Sequence, residues 1–448
     1  MDGPKARVLV DCGLFQGQKE LRLRNREPFG VPARTIDAVV VTHAHLDHTG
    51  YLPALVRDGF RGPIFATGGT VELSRIVLPD SGRLQEDEAR HANRHRYSKH
   101  SPALPLYTEG DAYRALDRFE RVPTDTNVDI AAGFGVRFRR AGHILGAASA
   151  YVTLDDEGTI AFSGDLGRPE HPILRAPEPM GPADHVVVES TYGDRAHSDA
   201  GAIDTFCDAI ARTAERRGVV IIPAFAVDRT EVVLYHLKML MEAGRIPNLP
   251  VYVDSPMALD ALAVYRQAIA SKSPDVHDWL YGAPDPFHVG RITEARDVEA
   301  SKAINQKNDP CVIVSASGMA TGGRVLHHLA HRLPSARTTV LLVGYQAAGT
   351  RGRLLAEGAT ALKMLGRYIP VRAEIVDVPA FSVHADASEV VGWLATAPKP
   401  PTACYVVHGE PVAADAMRDR IASELGWVTT VASYRERVRL DLPRNGPG

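Results

Sequence analysis

The stretch Thr42-His43-Ala44-His45-Leu46-Asp47-His48 follows the apolar run Ala38-Val39-Val40-Val41, so four metal-capable side chains leave the end of a predicted strand together. Three imidazoles and a carboxylate in one loop suit borderline divalent ions, zinc first. A solvated loop or a helix cap would explain a lone histidine. Four candidate ligands within six positions instead favour a metal site.

The spacing of these ligands predicts two ions rather than one. His43 and His45 are separated by a single residue, so in extended backbone their rings point the same way. Asp47 and His48 lie just beyond and can face a second ion. The HExxH arrangement, in which two histidines lie one helical turn apart, is absent.

Composition bounds the class of protein. The chain has 448 residues, 45% apolar and 23% charged, which predicts about two or three globular domains. No stretch is apolar enough to span a bilayer, and the first seven residues lack the apolar core of a secretory signal. We therefore expect no membrane association.

The cysteines and the net charge set weaker limits. Four widely separated cysteines without a CxxC pair predict neither disulfides nor a cysteine zinc site, which fits a cytoplasmic protein. The net charge is −3, whereas many nucleic-acid-binding proteins are basic. Bound zinc would add positive charge at the site, so the balance does not exclude nucleic acid.

Further ligand types stand at other predicted strand ends. Asp11 follows the short strand Arg7–Val10, His143 lies between Gly142 and Gly146, and Asp165 ends the second strand of a predicted hairpin. An isolated Asp after Gly is most often a turn residue. Several predicted strand ends that each carry a metal-capable side chain favour a metal site more strongly than any one of them alone.

Residues 194 to 376 alternate helix with short apolar strand, which predicts a parallel sheet with crossover helices, a Rossmann-like unit. It lacks GxGxxG after its first strand, so a dinucleotide cofactor is not supported. Two glycine-rich loops there, Ser315–Arg324 and Gly344–Arg353, suit phosphate oxygens. Tight turns with surface arginines explain each loop equally well.

The last part of the chain, like the first, places histidines next to predicted strands and helices. His384, in Phe381-Ser382-Val383-His384-Ala385-Asp386, precedes a predicted helix, and His408 follows the strand that includes Tyr405-Val406-Val407. Both could reach the same edge as the first run. A histidine satisfied within the core is the simpler alternative for either.

Together these motifs resemble the metallo-β-lactamase superfamily, through Asp11, His43-x-His45-x-Asp47-His48, His143 and Asp165. Glu189, His384 and His408 look like motifs A, B and C of its β-CASP branch. That branch holds nucleases such as RNase J and the endonuclease of the messenger-RNA cleavage and polyadenylation machinery.

The resemblance implies an α/β fold, an αββα sandwich with an inserted Rossmann-like β-CASP domain. The sandwich would comprise residues 1–193 and 377–448, and the β-CASP domain residues 194–376. It also implies two zinc ions per chain, one held by His43, His45 and His143, the other by Asp47, His48 and His408, with Asp165 bridging. Asp11 would orient ligands without being one.

The implied activity is a zinc-dependent ribonuclease that hydrolyses RNA phosphodiester bonds with a hydroxide shared by the two ions, in RNA processing or decay. His384, poised by Glu189, would protonate the leaving 3'-oxygen; we also assign Asp165 and Asp47 to catalysis. Single-stranded RNA would lie in the cleft between the domains. Its phosphates would contact Ser317, Gly318, Arg353 and Ser382.

RNA is favoured over DNA because motif C is His408, where family members that act on DNA commonly carry Val. Two alternatives remain open: a thioesterase-like hydrolase of the same superfamily, and a catalytically silent RNA-binding scaffold. The sequence also leaves open endonuclease against 5'-exonuclease action, the natural RNA, homodimer formation and whether the N-terminus is complete.

Overall fold

The computed structural model describes residues 1–96, 98–155, 158–197, 201–378 and 381–440. The chain folds into two compact units. The first comprises Met1–Gln16, Glu20–Ala196 and His384–Gly448, and the second Gly17–Lys19 and His197–Val383. The domain boundaries given above stay predictions.

The strands are β1 Val8–Val10, β2 Ala38–Val40, β3 Ile64–Ala66, β4 Phe119–Arg121, β5 Val128–Ala131, β6 Phe134–Arg140, β7 Ala148–Leu154, β8 Gly158–Phe162, β9 His185–Val188, β10 Val219–Pro223, β11 Val251–Val253, β12 Ile292–Glu294, β13 Cys311–Ser315, β14 Thr339–Leu342, β15 Ala361–Met364, β16 Arg367–Pro370, β17 Glu374–Asp377, β18 Ala403–Val406 and β19 Thr429–Val431.

The α-helices are α1 Lys19–Arg24, α2 Leu46–Thr49, α3 Leu52–Arg57, α4 Gly68–His95, α5 Glu109–Leu116, α6 Ala202–Glu215, α7 Arg229–Glu242, α8 Pro256–Ala270, α9 Val298–Asn305, α10 Val325–Arg332, α11 Arg351–Ala356, α12 Ala387–Leu394 and α13 Pro411–Leu425. Short 3₁₀ helices occupy Ala33–Thr35 and Asp278–Leu280.

The first unit is a sandwich of a parallel sheet, ordered β1-β2-β3-β4, and a mixed sheet, ordered β19-β18-β9-β8-β7-β6-β5. Side chains alternate across β2 as the pleat requires. Ala38 and Val40 pack in the core that joins strands of both sheets. Val39 packs instead with Leu52 and Leu55 of α3. Both faces of β2 are therefore buried, which explains its unbroken apolar run.

Strands from distant parts of the chain meet in the mixed sheet. β9 precedes the second unit in sequence and β18 follows it, yet they pair in parallel, with His185 opposite Ala403 and Val188 opposite Val406. The residues that follow these two strands, Glu189 and Val407-His408, therefore leave the sheet side by side.

The second unit contains a six-stranded parallel sheet ordered β12-β11-β13-β10-β14-β17. Its core joins strand residues such as Ile221 and Ile313 with Val325 and Leu329 of α10. The antiparallel pair β15–β16 packs Leu362 into the same core. This is the parallel sheet with crossover helices that the alternation predicted.

Two local expectations had different outcomes. The hairpin of β7 and β8 is confirmed, although Asp156 and Glu157 of its turn lie outside the described residues. The sequence predicts a helix from Gly50 to Arg57, and the structure has α3 there. A separate short helix, α2, precedes it and begins at Leu46 with His45 as its extended N-cap. Asp47 and His48 therefore lie on a helical turn and not in a loop. None of the described helices is long and apolar enough to cross a bilayer.

Candidate metal centre

The predicted ligands converge in the first unit. One group of donor atoms comprises those of His43, His45, His143 and Asp165, and a second those of Asp47, His48 and His408, with all atoms of a group within 4.8 Å of one another. We call His43, His45 and His143 the inner triad, and Asp47, His48 and His408 the outer triad. Strand ends and the turn α2 supply all of them.

The inner triad is compact and buried. His43 Nε2 lies 3.1 Å from His45 Nδ1, and His143 Nε2 lies 3.2 Å from the same atom. His43 and His143 are completely buried, and His45 is partly buried. Three imidazole nitrogens from two loops therefore face one point.

The outer triad is more open. His48 Nε2 lies 2.8 Å from His408 Nε2, and His408 Nε2 lies 3.8 Å from Asp47 Oδ2. The side chains of Asp47 and His408 are 37% and 33% exposed. Only His48 is buried, so solvent reaches two of its three members.

Asp165 stands between the two triads and turns one oxygen to each. Its Oδ2 lies 3.5 Å from His43 Nε2 and 3.7 Å from His143 Nε2. Its Oδ1 lies 3.3 Å from His48 Nε2 and 3.2 Å from His408 Nε2. A single buried carboxylate thus completes both donor sets.

The donor set fits divalent metal ions. Ligands about 2.0–2.1 Å from a tetrahedral ion lie about 3.3 Å from one another, close to the separations above. Asp165 Oδ1 is buried and has no hydrogen-bond partner among the described residues. A buried carboxylate oxygen without such a partner is costly unless a cation compensates it.

The pKa values of the histidines also differ between the two triads. Burial lowers the pKa of His43 well below its usual value and that of His45 to about 4, which leaves neutral rings with lone pairs. Burial also acts to lower the pKa of His48, but Asp165 and Asp11 raise it well above the usual value. Burial acts to raise the pKa of Asp165, yet the surrounding histidines, His408 foremost, hold it well below its ordinary value.

Asp11 fixes the orientation of His48. Its Oδ2 lies 2.6 Å from His48 Nδ1, which leaves Nε2 directed toward the outer triad. The same carboxylate accepts hydrogen bonds of 2.8 Å from the backbone N–H and the hydroxyl of Thr42. A carboxylate on the second ring nitrogen of a ligating histidine fixes its tautomer and orientation.

His384 lies beside this centre. Its Nδ1 is 3.6 Å from Glu189 Oε2 and 3.8 Å from Asp165 Oδ2, and its ring centroid lies 4.3 Å from that of His143. Glu189 is buried, and its Oε1 accepts a 2.6 Å hydrogen bond from the backbone N–H of Leu166. The histidine is therefore adjacent to both the donor set and a buried carboxylate.

Close backbone packing holds these loops together. A Cβ on Gly167 would lie 1.9 Å from the carbonyl oxygen of Gly142, which precedes His143. On its other side, the backbone N–H of Ala385 donates to Leu166 O at 2.7 Å. The Asp165 loop is thus packed between the His143 loop and the His384 segment, and position 167 has no room for a side chain.

Sequence reasoning gave no role to Thr42 or to the pair Arg168 and Glu389. Arg168 Nε lies 3.4 Å from Glu389 Oε1, and Glu389 Oε2 accepts from Asp386 N in the capping box of α12. This pair links the Asp165 loop to the helix that follows His384. The capping-box spacing, Asp386 followed three residues later by Glu389, was the readable signal.

The residues predicted to bind phosphate lie in the second unit. The hydroxyl of Ser317 is 2.9 Å from that of Thr321, and a Cβ on Gly318 would lie 2.7 Å from the ring of Phe225. Arg353 Nε donates to Glu357 Oε1 at 2.6 Å. Ser382 is buried two positions before His384. The assignment of these four residues to substrate binding stays a prediction.

A histidine-rich sandwich with a shared aspartate defines the class: a metallohydrolase of the metallo-β-lactamase type. Three family models match the chain: the metallo-beta-lactamase superfamily over residues 1–196, the Beta-Casp domain over residues 230–355 and the Zn-dependent metallo-hydrolase RNA specificity domain over residues 368–432. The chain belongs to the β-CASP branch of the metallo-β-lactamase superfamily, and the predicted fold class is confirmed.

Curated relatives agree with this assignment. A ribonuclease from Thermus thermophilus is 37% identical, with 90% of this chain and 88% of the relative covered. An RNase J-like protein from Methanocaldococcus jannaschii is 32% identical, with 91% and 87% covered. The transcription termination factor FttA from Methanosarcina mazei is 30% identical, with 98% and 68% covered.

Among solved structures, the crystal structure of a protein of unknown function from Enterococcus faecalis matches with a TM-score of 0.50 at 12% identity. The match covers 97% of this chain and 94% of that protein. At this identity the match supports the fold alone.

Proposed function

We propose that the protein is a ribonuclease that binds two zinc ions and hydrolyses RNA phosphodiester bonds in RNA processing or decay. The observation that carries the proposal is Asp165, whose two oxygens lie 3.2–3.7 Å from histidine nitrogens of two different triads. A carboxylate shared in this way is suited to a pair of ions that act on one phosphate.

The inner triad and Asp165 Oδ2 would hold one ion, and the outer triad and Asp165 Oδ1 the other. Imidazole and carboxylate donors without cysteine suit zinc among the first-row metals. When bound, such ions lower the pKa of a coordinated water and offset negative charge on an attacked phosphodiester. Asp11 would keep His48 in the tautomer that presents Nε2.

His384 is our candidate for the group that protonates the leaving oxygen. Hydrolysis adds water to phosphorus and breaks the bond to the 3'-oxygen, which leaves a 5'-phosphate and a 3'-hydroxyl. The 3'-oxygen would take its proton from His384, and solvent would return one to the ring. The carboxylate of Glu189, whose Oε2 lies 3.6 Å from His384 Nδ1, would orient the ring for this role.

RNA as the substrate is supported by the match of residues 368–432 to an RNA specificity domain and by relatives that carry ribonuclease names. Single-stranded RNA in a cleft, the phosphate contacts of Ser317, Gly318, Arg353 and Ser382, a homodimer and a cytoplasmic location stay predictions.

The test combines metal analysis with cleavage. Purified protein is assayed for zinc by mass spectrometry and incubated with RNA carrying a 5'-label and either a monophosphate or a triphosphate. We expect about two zinc ions per chain and cleavage that a chelator abolishes and zinc restores. Mononucleotides released from the 5'-end would indicate exonuclease action, and internal fragments endonuclease action.

Two results would contradict the proposal. Metal-loaded protein that leaves RNA intact would favour the silent scaffold. Hydrolysis of thioesters without hydrolysis of RNA would favour a thioesterase. The matched control is Tyr113→Ala, on an exposed face of α5, which should behave as the wild type in every assay.

A further inference from the structure

An exposed cluster of aromatic and arginine side chains lies in the first unit, formed by Phe15, Arg24, Tyr434 and Arg435. We name it the aromatic patch. We propose that this patch is a stacking platform for the single-stranded RNA on which the metal centre acts, an inference that rests on the function proposed above.

The rings of the patch are arranged around one guanidinium. Arg24 Cζ lies 4.1 Å from the ring centroid of Tyr434 and 5.5 Å from that of Phe15. The two rings meet edge to face with centroids 5.7 Å apart. Phe15 remains 37% exposed and Tyr434 47% exposed. Part of the aromatic surface of both rings is therefore accessible to a ligand.

Polar contacts hold the patch in place. Asn25 Oδ1 accepts from the backbone N–H of Phe15 at 2.8 Å, and Asn25 Nδ2 donates to Phe15 O at 2.8 Å. Arg435 donates to Pro28 O at 3.1 Å and lies 3.2 Å from Glu27 Oε2. Rings fixed in this way lose little conformational freedom when a base stacks on them.

The two segments that carry Arg24, Tyr434 and Arg435 have a charge opposite to that of the whole chain. Residues 20–27 and 434–439 hold six arginines against three glutamates, which gives +3, whereas the whole chain carries −3. The arginines are Arg22, Arg24, Arg26, Arg435, Arg437 and Arg439, and the glutamates Glu20, Glu27 and Glu436. Aromatic rings beside a local excess of arginine are the combination that binds single strands without sequence preference.

The backbone connects the patch to the metal centre. The N–H of Cys12 donates to His48 O at 2.7 Å, and the N–H of Leu14 donates to Leu46 O at 2.8 Å. Phe15 therefore directly follows a residue that is hydrogen-bonded to α2, the turn that carries Asp47. The four residue-to-residue steps from Asp11 to Phe15 span at most about 14 Å, a distance that a few nucleotides can cover.

The experiment measures affinity for single-stranded RNA with a phosphorothioate backbone, using metal-loaded protein and oligonucleotides of 3 and 12 nucleotides. Tyr434→Ala should weaken binding of the 12-mer at least about fivefold, the effect of losing one base–aromatic stack, with a smaller effect on the 3-mer. Tyr434→Phe should retain the affinity. Arg24→Gln should reduce the slope of log affinity against log salt by about 0.7.

Tyr113→Ala, in another exposed part of the same unit, is the control and should bind as the wild type. Affinity of Tyr434→Ala within twofold of the wild type, or equal losses in both alanine variants, would overturn the inference. Circular dichroism and the affinity of Tyr434→Phe distinguish loss of the ring from misfolding. Cleavage is assayed separately on unmodified RNA of the same sequence, because the phosphorothioate backbone resists hydrolysis. Tyr434-dependent binding without cleavage of the unmodified RNA would refute the ribonuclease and support the platform. Cleavage of the unmodified RNA with binding independent of Tyr434 would refute the platform and support the ribonuclease.

Discussion

The inner and outer triads share one aspartate but differ in how far solvent reaches them. His43 and His143 are completely buried, whereas the side chains of Asp47 and His408 are 37% and 33% exposed. Each triad contains two residues from the same seven-residue stretch and one from a distant strand end. The difference therefore arises from where β2 ends and α2 begins and not from the residue types alone.

This difference predicts unequal roles for the two ions. An ion in the inner triad would be shielded by the fold and would exchange slowly. An ion in the outer triad would face solvent and could be reached by a phosphate oxygen. We therefore expect the inner ion to be retained longer and the outer ion to respond to the free metal concentration.

Replacement of the shared carboxylate should have the largest effect. Asp165→Asn keeps the shape but removes the charge that completes both donor sets, so each triad would lose affinity. Each ion stabilises the transition state by several kcal/mol, so RNA cleavage should fall more than about 10⁴-fold. Single-turnover cleavage and metal content by mass spectrometry measure the result. A variant that keeps both ions and its activity would contradict the proposal that Asp165 is a ligand shared by both ions.

His384→Ala should lower cleavage about 10²- to 10⁴-fold, the usual contribution of a general acid, while both ions remain bound. Parallel metal analysis and cleavage assays on the same preparation check this expectation. Partial rescue by added imidazole would identify loss of a proton donor as the cause. Normal turnover in this variant would exclude His384 from the mechanism.

Paired ligand variants test the difference between the triads directly. His408→Ala should release the outer ion, and a loss of about 100-fold in affinity should be offset by about 100-fold more free zinc. His143→Ala leaves a buried gap in the inner triad, so added zinc should not restore cleavage in this variant. Cleavage is titrated with zinc for both variants, and identical recovery curves would argue that the two triads are equivalent.

Asp11→Asn should have the smallest effect, about a 10- to 100-fold loss of metal affinity. The loss should be larger for the outer ion, because Asp11 contacts His48 directly and reaches His43 only through the hydroxyl of Thr42. Zinc binding is followed by competition with a chromogenic chelator. An equal loss from the inner triad would show that Asp11 acts on the whole fold and not through His48.

The sequence predicted the strands well because their signals are local, and the side chains that it proposed as ligands lie together in the first unit. The apolar run before Thr42 could only be a buried strand, and alternation of helix and strand indicated the parallel sheet of the second unit. The sequence did not indicate α2 because Leu46-Asp47-His48-Thr49 is a single helical turn, too short to show a 3.6-residue period. The pairing of β9 with β18 joins residues more than two hundred positions apart, which no local pattern records.

Roles that depend on three-dimensional packing were harder to predict. Thr42 stood within the first stretch, yet its hydrogen bonds to Asp11 depend on the pairing of β1 with β2. Gly318 suggested a phosphate loop, but a Cβ there would meet Phe225. The sequence does not distinguish a glycine required for packing from a glycine that approaches a ligand, because both occupy positions without room for a side chain.

Asp165 joins two donor sets that differ in exposure, and we propose that each of them holds a metal ion. The most direct measurement is dialysis of the zinc-loaded protein against increasing chelator, with zinc content and RNA cleavage measured at each step. We predict two ions per chain that leave in two steps, with cleavage lost as the first ion leaves. A single ion, loss of both ions in one step, or cleavage that survives the loss of both would contradict the account.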